Sequence, residues 1–277
     1  MKNNSNIDEK TVLGFGQEWG KFSYTNTSIE EIKSIADEYF SILDLSTLTK
    51  NSVVLDVGCG TGRWAQLIAP LVKTLYVIDP SSAALDVARQ NLRQFTNVVF
   101  INSSINSFEP GIKFDLIYSL GVLHHVPDTE ESIQKISELT KRKGNFLVYL
   151  YYRFDNRGKL YRTIWKLSDM IRVVVSTLPF KLRAMIAEIF ALTVYLPLAN
   201  CAKLFSWLGL RVDNFPLNYY KDKSYYVMRT DSLDRFGTKL EKRFTKLEIT
   251  NMLSKSGFKD VIFSERAPHW VALGTKV

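Results

Sequence analysis

Three glycines and an aspartate in the first third of the chain have types and spacing that could bind a ligand. Gly58, Gly60 and Gly62 follow an apolar run at residues 53–55, and Asp79 ends a second apolar run. A buried parallel strand shows a continuous apolar run, and glycines after it let the backbone turn sharply and approach a ligand closely. An acid at the end of the neighbouring strand can accept hydrogen bonds from both hydroxyls of a ribose. The combination predicts a bound nucleoside.

The glycine turn has the sequence G-C-G-T-G. It lacks the G-x-G-x-x-G spacing of a dinucleotide site, and the chain has no G-K-[ST] of a triphosphate-binding loop. A nicotinamide-type or purely structural turn stays as the alternative. With Asp56 before the turn, the pattern D-x-G-C-G-T-G resembles the first motif of class I S-adenosylmethionine-dependent methyltransferases.

This resemblance implies that S-adenosylmethionine is the cofactor. The first two glycines would lie beneath its methionine part, Asp79 would bind the ribose, and Asp56 and the Leu120 carbonyl would face the ammonium group. Ser104 stands where many family members carry an aspartate that contacts adenine, which leaves that contact weaker. The full set of expected cofactor contacts is Trp19, Asp56, Gly58, Cys59, Gly60, Gly62, Arg63, Asp79, Pro80, Ser104, Ile105 and Leu120.

Two adjacent histidines lie in the segment SLGVLHHVPD, which resembles the fourth motif of the same family. A histidine near the transferable methyl group could take a proton from a hydroxyl acceptor, because its ordinary pKa lies near neutrality. His125 is the preferred candidate for this general base and His124 the second. The alternative is that the pair only fixes the loop through hydrogen bonds to the backbone. We expect no metal site, since two adjacent histidines lack a neighbouring carboxylate cluster.

The positive charge of the chain is concentrated in one region. The net charge is +8, and residues 151–223 hold twelve Lys/Arg against five Asp/Glu. Such an excess attracts phosphates, acidic lipid headgroups or nucleic acid, although a solvated helix face would show it too. Within this region Ala184 to Ala202 is apolar with Glu188 as its single charge. Three roles stay open: a cap that forms the acceptor pocket, a peripheral membrane contact, and a membrane span.

The whole chain resembles a bacterial group of class I methyltransferases associated with surface polysaccharide biosynthesis. The matching stretches include GFGQEWGKF, YVIDPSSAALDVARQN, MRTDSLDRFGTKLEKRFT and FSERAPHW. The resemblance suggests O-methylation of a sugar, a glycan or another anionic small acceptor, which could be lipid-linked. Arginines bind phosphate in a bidentate way, although internal salt bridges would explain them equally well. The expected acceptor-binding residues are Tyr152, Arg153, Arg229 and Arg235.

Other functions stay as alternatives. One is N- or C-methylation of an amphipathic metabolite or lipid precursor, and another is a non-catalytic partner protein that binds the cofactor. No nucleic acid partner is expected, because no N-P-P-[YF] motif is present. The polar N-terminal ten residues show no signal sequence, and the two cysteines cannot form a disulfide framework. We therefore expect a cytoplasmic protein, with peripheral contact at the inner membrane face as the variant.

The elements that must position these residues alternate between strand and helix. This alternation predicts an α/β fold, a doubly wound Rossmann-like sheet of seven strands with an antiparallel last strand and a helical insertion after the fifth. Residues 1–12 are predicted to be disordered, 13–24 to form a loop or lid, and 230–237 to form a loop. The predicted division is an N-terminal cap and helix (1–50), the cofactor-binding core (51–152), the helical insertion (153–228) and a C-terminal part that completes the sheet (229–277).

Overall fold

The computed structural model describes residues 5–25, 27–213 and 215–277. The strands in these residues are β1 Val53–Val57, β2 Thr74–Asp79, β3 Val98–Asn102, β4 Phe114–Leu120, β5 Thr140–Tyr149, β6 Phe258–Phe263 and β7 Val271–Lys276. The α-helices are α1 Glu9–Lys21, α2 Ile29–Phe40, α3 Ala65–Ile68, α4 Ser82–Asn91, α5 Thr129–Leu139, α6 Lys159–Val175, α7 Phe180–Phe190, α8 Leu196–Trp207, α9 Tyr225–Gly237 and α10 Lys246–Lys255. The chain forms two compact units. The first consists of residues 1–156 and 240–277, and the second of residues 157–239.

The first unit is built on one seven-stranded sheet. Its strand order is β3-β2-β1-β4-β5-β7-β6, in which the first five strands are parallel and β7 runs antiparallel to both β5 and β6. The predicted α/β fold with antiparallel strands at the end of the chain is therefore confirmed. The strand order reverses direction between β1 and β4, and ligands of such sheets bind outside the carboxyl ends of the strands at this point.

The centre of the sheet is covered on both faces. Val54 and Leu55 in β1, Ile117 in β4 and Phe146 in β5 are fully buried. This burial explains why these strands consist of continuous apolar runs rather than alternating patterns. The rigid core therefore fixes the positions of the loops that follow β1, β2 and β4.

The N-terminal segment is more ordered than the sequence predicts. Helix α1 occupies residues 9–21, where we expected disorder to residue 12 and a loop from residue 13, and Asp8 caps it by accepting a hydrogen bond from the Thr11 N–H at 2.8 Å. Asn6 is buried, and its amide donates to the Asp128 carbonyl and to Ser132 Oγ while accepting from the Asp128 N–H. The expectation of disorder is thus wrong from residue 5 onward, and residues 1–4 lie outside the described chain.

The second unit is entirely helical in its regular elements. Helix α7 continues through a π-helical turn, Ala191–Tyr195, into α8, so the chain stays helical past Pro197. Proline is tolerated there because it closely follows the π-helical turn, where the regular α-helical hydrogen-bond pattern is already interrupted. The predicted loop at 230–237 belongs to α9, which the Ser224 side chain caps. The unit accordingly extends to residue 239, beyond the predicted insertion at 153–228.

One helix in the described chain passes a length and composition test for a membrane span. The run Phe180–Trp207 has 28 residues and a mean hydropathy of 1.6 in its most apolar window, of which 28% is buried. Core helices of soluble proteins pass the same test, so length and composition alone do not assign a span.

Candidate functional site

The glycine turn after β1 adopts a backbone that side chains disfavour. Gly58 and Gly60 have φ values of +74° and +53°, and both positions are also closely packed. A Cβ on Gly58 would lie 2.5 Å from the Val122 side chain, and a Cβ on Gly60 would lie 3.1 Å from Trp19 Nε1. The sharp turn expected at these glycines is therefore present, and contacts with protein side chains add a second reason for glycine, while the close approach of a ligand stays a prediction.

Asp79 lies at the carboxyl end of β2, beside the glycine turn, as predicted. Its Oδ2 accepts a hydrogen bond from the Gly60 N–H at 3.0 Å and its Oδ1 accepts one from the Ser81 N–H at 2.8 Å. Burial raises the pKa of this carboxyl to about 6, against the two backbone hydrogen bonds, which lower it. Each carboxylate oxygen keeps a further lone pair, so two hydroxyl groups can still donate to it.

Asp56, in β1 at the same edge, is a second buried carboxyl group. Only 2% of it is exposed, and its Oδ2 accepts a hydrogen bond from the Tyr118 hydroxyl at 2.9 Å. Burial raises its pKa to about 8; the hydrogen bond from Tyr118 opposes this, the charge of Asp79 adds to it, and the charge of Arg63 lowers it. A cationic group placed beside the two carboxyls would favour their ionised forms.

Cys59 and Arg63 complete the turn. Cys59 is buried, and burial raises the pKa of its thiol well above the ordinary value, so this side chain is not an activated nucleophile. The guanidinium of Arg63 lies 4.4 Å from the Trp64 ring centroid, 4.7 Å from that of Tyr24 and 5.6 Å from that of Trp19. Arg63 therefore holds aromatic side chains of the N-terminal segment against the turn.

The predicted contacts after β2, β3 and β4 lie at the same sheet edge. Pro80 follows directly after β2, and Leu120 ends β4. Ile105 follows β3 and is buried in the core. Ser104 is also buried, and its Oγ accepts from the Ser107 N–H and donates to Ser107 Oγ, both at 3.3 Å. The turn uses the Ser104 hydroxyl proton, which leaves lone-pair capacity for a ligand amino group.

Helix α1 connects the glycine turn with the histidine pair. Its Trp19 packs on Gly60, and its Phe15 ring lies 4.9 Å from the His125 ring centroid. The close approach of Gly16 to Ser81, the N-cap of α4, fixes this helix on the sheet edge. The aromatic residues expected in a loop are thus carried on one face of a helix, with Phe15 and Trp19 four residues apart.

The two histidines follow β4, and their hydrogen bonds favour different tautomers of the two rings. The Nδ1 of His125 lies 2.7 Å from the Leu240 carbonyl oxygen, which can only accept, so Nδ1 is the donor and the neutral imidazole has its lone pair on Nε2. The Nδ1 of His124 accepts from the Tyr151 N–H at 3.4 Å, which places the proton on Nε2. Burial and the charges of His125 and Arg243 lower the pKa of His124 well below its ordinary value, so it is neutral.

The segment that follows the second unit clamps this pair, which the sequence did not reveal. Besides the Leu240 carbonyl, the Lys242 N–H donates to the His124 carbonyl at 2.9 Å. The Tyr151 ring stacks on His124 with centroids 3.8 Å apart, and the Arg243 guanidinium lies 5.0 Å from the Tyr151 ring. Backbone carbonyls leave no sequence signal, although Arg243 belongs to the stretch MRTDSLDRFGTKLEKRFT that the resemblance matches.

Tyr152 and Arg153, both predicted to bind the acceptor, lie in the segment that follows β5. The Tyr152 ring packs against Phe154, His269 and Trp270. The exposed Arg153 forms an ion pair with Glu248 at 2.8 Å and donates to the Arg243 carbonyl. Their acceptor contacts stay a prediction.

Arg229 and Arg235, the other predicted acceptor residues, belong to the second unit and form ion pairs inside it. Arg229 Nε lies 2.8 Å from Glu188 Oε2, and Arg235 lies 3.4 Å from Asp169 Oδ1. Arg235 also donates to Ser168 Oγ. The salt-bridge alternative is therefore what the structure shows for these two side chains.

The donor set of the first unit fits S-adenosylmethionine. This cofactor carries an ammonium and a sulfonium, which suit two buried carboxyls, and a ribose diol, which suits the remaining lone pairs of Asp79. Within the described residues, no group of three or more His, Cys, Asp or Glu could hold a metal ion.

The sequence is similar to known proteins over this same region. Residues 48–188, half of the chain, match the family described as "Methyltransferase domain". An uncharacterized methyltransferase of Geobacillus sp. strain WCH70 is 32% identical over 56% of this chain and 74% of its own length. A ubiquinone biosynthesis O-methyltransferase of Coxiella burnetii is 27% identical over 53% of this chain and 67% of its own length.

Solved structures support the fold. The apo form of the S-adenosylmethionine-dependent methyltransferase SibL superposes with a TM-score of 0.52 at 15% identity, covering 88% of this chain and 55% of that one. The magnesium protoporphyrin IX methyltransferase of Synechocystis PCC 6803 gives a TM-score of 0.50 at 12% identity, covering 97% of this chain and 86% of that one. At such identities the likeness concerns the fold alone.

Proposed function

Since the chain belongs to the methyltransferase domain family and S-adenosylmethionine is its cofactor, we propose that it methylates a hydroxyl oxygen of a sugar, a glycan or another anionic small acceptor. The observation that carries this proposal is the 2.7 Å distance between His125 Nδ1 and the Leu240 carbonyl oxygen. With its Nδ1 proton donated to the Leu240 carbonyl, its Nε2 is a base within a pair of histidines at the carboxyl end of β4. A hydroxyl acceptor needs such a base, because its proton must leave as the new bond forms.

The residues present can account for both the transfer of the methyl group and the removal of the hydroxyl proton. S-adenosylmethionine, held by Asp56 and Asp79, would supply a methyl group on a positively charged sulfur, and that sulfur would keep the electron pair of the carbon–sulfur bond when the acceptor oxygen is methylated. His125 Nε2 would take the hydroxyl proton. The neutral, fully buried His124 acts as a positioning residue, since its ring packs against that of His125 with centroids 4.0 Å apart. Phe15 and Tyr151 surround His125 with aromatic rings, which limits the access of water.

The basic excess of residues 151–223 supports a negatively charged acceptor. The individual arginines support it less, because Arg153, Arg229 and Arg235 are already engaged in ion pairs. The place of this reaction in surface polysaccharide biosynthesis rests on the resemblance described for the sequence.

The test is an acceptor screen by mass spectrometry that detects the gain of one methyl group. With a hydroxyl acceptor, His125→Ala should lower kcat by about 100- to 10,000-fold without a comparable change in the affinity for S-adenosylhomocysteine. His125→Gln is the matched variant, since it keeps a polar side chain but not the base. Full activity of both variants would overturn the assignment of the base.

A second candidate is methylation of an amphipathic metabolite or lipid precursor at nitrogen or carbon. The large exposed apolar side chains of the second unit favour it, since they could contact such a molecule. Methylation of an amine acceptor at a rate independent of His125 would support this candidate. A third, a non-catalytic cofactor-binding protein, predicts cofactor binding with no methylated product from any acceptor.

A further inference from the structure

Helix α6 carries its large apolar side chains on the outside. Ile164, Leu167, Ile171 and Val174 recur at spacings of three and four residues, and all are exposed, Leu167 by 59%. The opposite face of the helix is turned inward and contains the buried Arg172. A surface helix of a soluble protein normally shows the reverse arrangement, with its apolar stripe facing the core.

The long helix formed by α7, the π-helical turn and α8 shows the same inversion. Five of its six buried residues are alanines, namely Ala184, Ala187, Ala191, Ala199 and Ala202, and the sixth is Tyr195. Seven large apolar side chains of this helix are exposed, namely Leu182, Met185, Ile189, Leu192, Val194, Leu204 and Trp207. Core packing alone does not explain this pattern, because so many large apolar side chains lie on the solvent side of the helix.

The second unit stands out from the rest of the described chain in this respect. It holds fifteen of the 22 large hydrophobic residues that are exposed, although it contains less than a third of the sequence. Those of the first unit are scattered over several elements, as is ordinary for a protein surface. A concentration on neighbouring helices marks an interaction surface.

The charges of the same helices indicate the chemistry of the partner. Residues 159–211 contain eight Lys/Arg and two Asp/Glu. Both acids pair inside the unit, Asp169 with Arg172 and Arg235, and Glu188 with Arg229. Six cationic side chains are exposed, namely Lys159, Arg162, Lys166, Lys181, Lys203 and Arg211. The partner therefore has an apolar interior and an anionic border.

We propose that the exposed apolar side chains of α6, α7 and α8, with the exposed cations beside them, form a docking surface for an anionic lipid bilayer. In this arrangement the helices lie in the plane of the interface, their aliphatic side chains enter the acyl boundary, and the cations contact headgroups. Trp207, 80% exposed at the end of α8, belongs to this lipid surface because indole rings favour the headgroup level. The proposal does not depend on which acceptor is methylated.

The helix 180–207 lies on the bilayer in this proposal and does not span it. Its inner face is packed within the unit, where Ser232 donates to the Ala187 carbonyl and the paired Glu188 also accepts from the Tyr225 hydroxyl. Spanning would expose these polar groups to hydrocarbon, where they would lose their partners.

Flotation of the full-length protein with vesicles tests the proposal. Vesicles of phosphatidylglycerol and phosphatidylcholine should carry the protein, while vesicles of phosphatidylcholine alone should carry at least tenfold less, and salt should weaken the binding. The variant Leu167→Gln/Met185→Gln/Ile189→Gln should lose flotation. The matched control Leu13→Gln/Leu247→Gln changes two equally exposed leucines of the first unit and should float as the wild type does. A far-ultraviolet circular dichroism spectrum equal to that of the wild type shows that each variant is folded, because the regular elements of the second unit are all helices.

Spectroscopy supplies a readout that does not depend on the triple variant. Trp207 fluorescence should shift to the blue with anionic vesicles, and Trp207→Phe should abolish the shift. Absence from the lipid fraction would overturn the proposal. So would release of oligomers into monomers by the triple variant without any vesicle binding, which would assign the face to a second copy. Resistance of the bound protein to carbonate extraction would also overturn it, since a peripheral contact is released by that treatment.

Discussion

At the scale of single residues, two buried carboxyls dominate the electrostatics of the cofactor site. Burial holds the pKa of Asp56 at about 8 and that of Asp79 at about 6, so at neutral pH the first is mainly protonated. S-adenosylmethionine would favour the ionised form of both carboxyls, because its ammonium and sulfonium are cationic. The site therefore holds a proton that cofactor binding must release.

This release predicts a pH-dependent affinity for S-adenosylhomocysteine. Between pH 8 and pH 6 one proton must leave for each ligand bound, so Kd should rise by about tenfold for each unit of falling pH, and more steeply below pH 6 where Asp79 also protonates. Calorimetry over pH 5 to 9 measures the slope. In Asp56→Asn only the step near pH 6 should remain, and a wild-type Kd that is independent of pH would contradict the assignment of both carboxyls.

The same carboxyl predicts a gain in stability from Asp56→Asn. Its pKa is about 8 in the folded protein and about 3.9 in an unfolded chain, so its ionisation opposes folding increasingly as pH rises from about 4 to 8. Asparagine removes this cost and still accepts from the Tyr118 hydroxyl. Tm should rise by about 2–6 °C at pH 8, a gain of about 1–2 kcal/mol, and by less at pH 5.

The control for this measurement is Asp86→Asn. Asp86 is exposed and pairs with Arg89 on the surface of α4, so its replacement should leave Tm nearly unchanged at both pH values. A loss of stability in Asp56→Asn that grows with pH would contradict the argument, because it would mean that the ionised carboxylate is stabilised in the fold.

At the scale of elements, the N-terminal segment is anchored by one buried amide. Asn6 makes hydrogen bonds to the Asp128 carbonyl, the Asp128 N–H and Ser132 Oγ. Asn6→Ala leaves these groups without their partner, so the free energy of unfolding should fall by about 1–3 kcal/mol in urea titrations. Asn51→Ala, at an exposed turn position, should change it by less than about 0.5 kcal/mol. Equal effects of the two substitutions would show that the anchor contributes nothing.

The elements also show which parts of the fold the sequence could predict. Continuous apolar runs identified the parallel strands, because burial on both faces leaves little freedom of composition at positions such as Leu55 and Phe146. Helix α1 was missed because Gly16 and Gly20 lower helix propensity and the aromatics obscured the period. Its cap at Asp8, three residues before Thr11, was a signal that could have been used.

The candidate site divides in the same way. The glycine turn and Asp79 were predictable because their chemistry depends on residue type and local spacing. The clamp on the histidines was not, since the Leu240 carbonyl lies 115 residues from His125 in sequence and is a backbone group. The ion pairs of Arg229 and Arg235 were equally hidden, because a charged residue does not reveal from sequence whether its partner is internal or a ligand.

At the scale of the whole molecule, the chain leaves the first unit and returns to it at neighbouring points. Tyr152 pairs with Phe244 in a parallel bridge, and the Arg153 N–H donates to the Phe244 carbonyl at 2.9 Å. Asp155 then accepts from Trp270 Nε1 and from the Lys246 N–H, both at 3.0 Å. The residues on both sides of the second unit are thus held by the first unit itself.

This arrangement predicts that the first unit folds without residues 157–239. A short Gly/Ser linker between residues 156 and 240 spans the gap at little entropic cost, because the flanking backbone is already paired. The deletion variant keeps the glycine turn, both carboxyls, both histidines and the Leu240 carbonyl. It should therefore unfold cooperatively on heating and bind S-adenosylhomocysteine with a Kd within about tenfold of the wild type, a change of about 1.4 kcal/mol.

If the lipid surface is correctly assigned, the same variant should no longer float with anionic vesicles. A soluble but unfolded product would show that the sheet depends on the second unit, and Asp79→Ala in the deletion background supplies the baseline for absent binding.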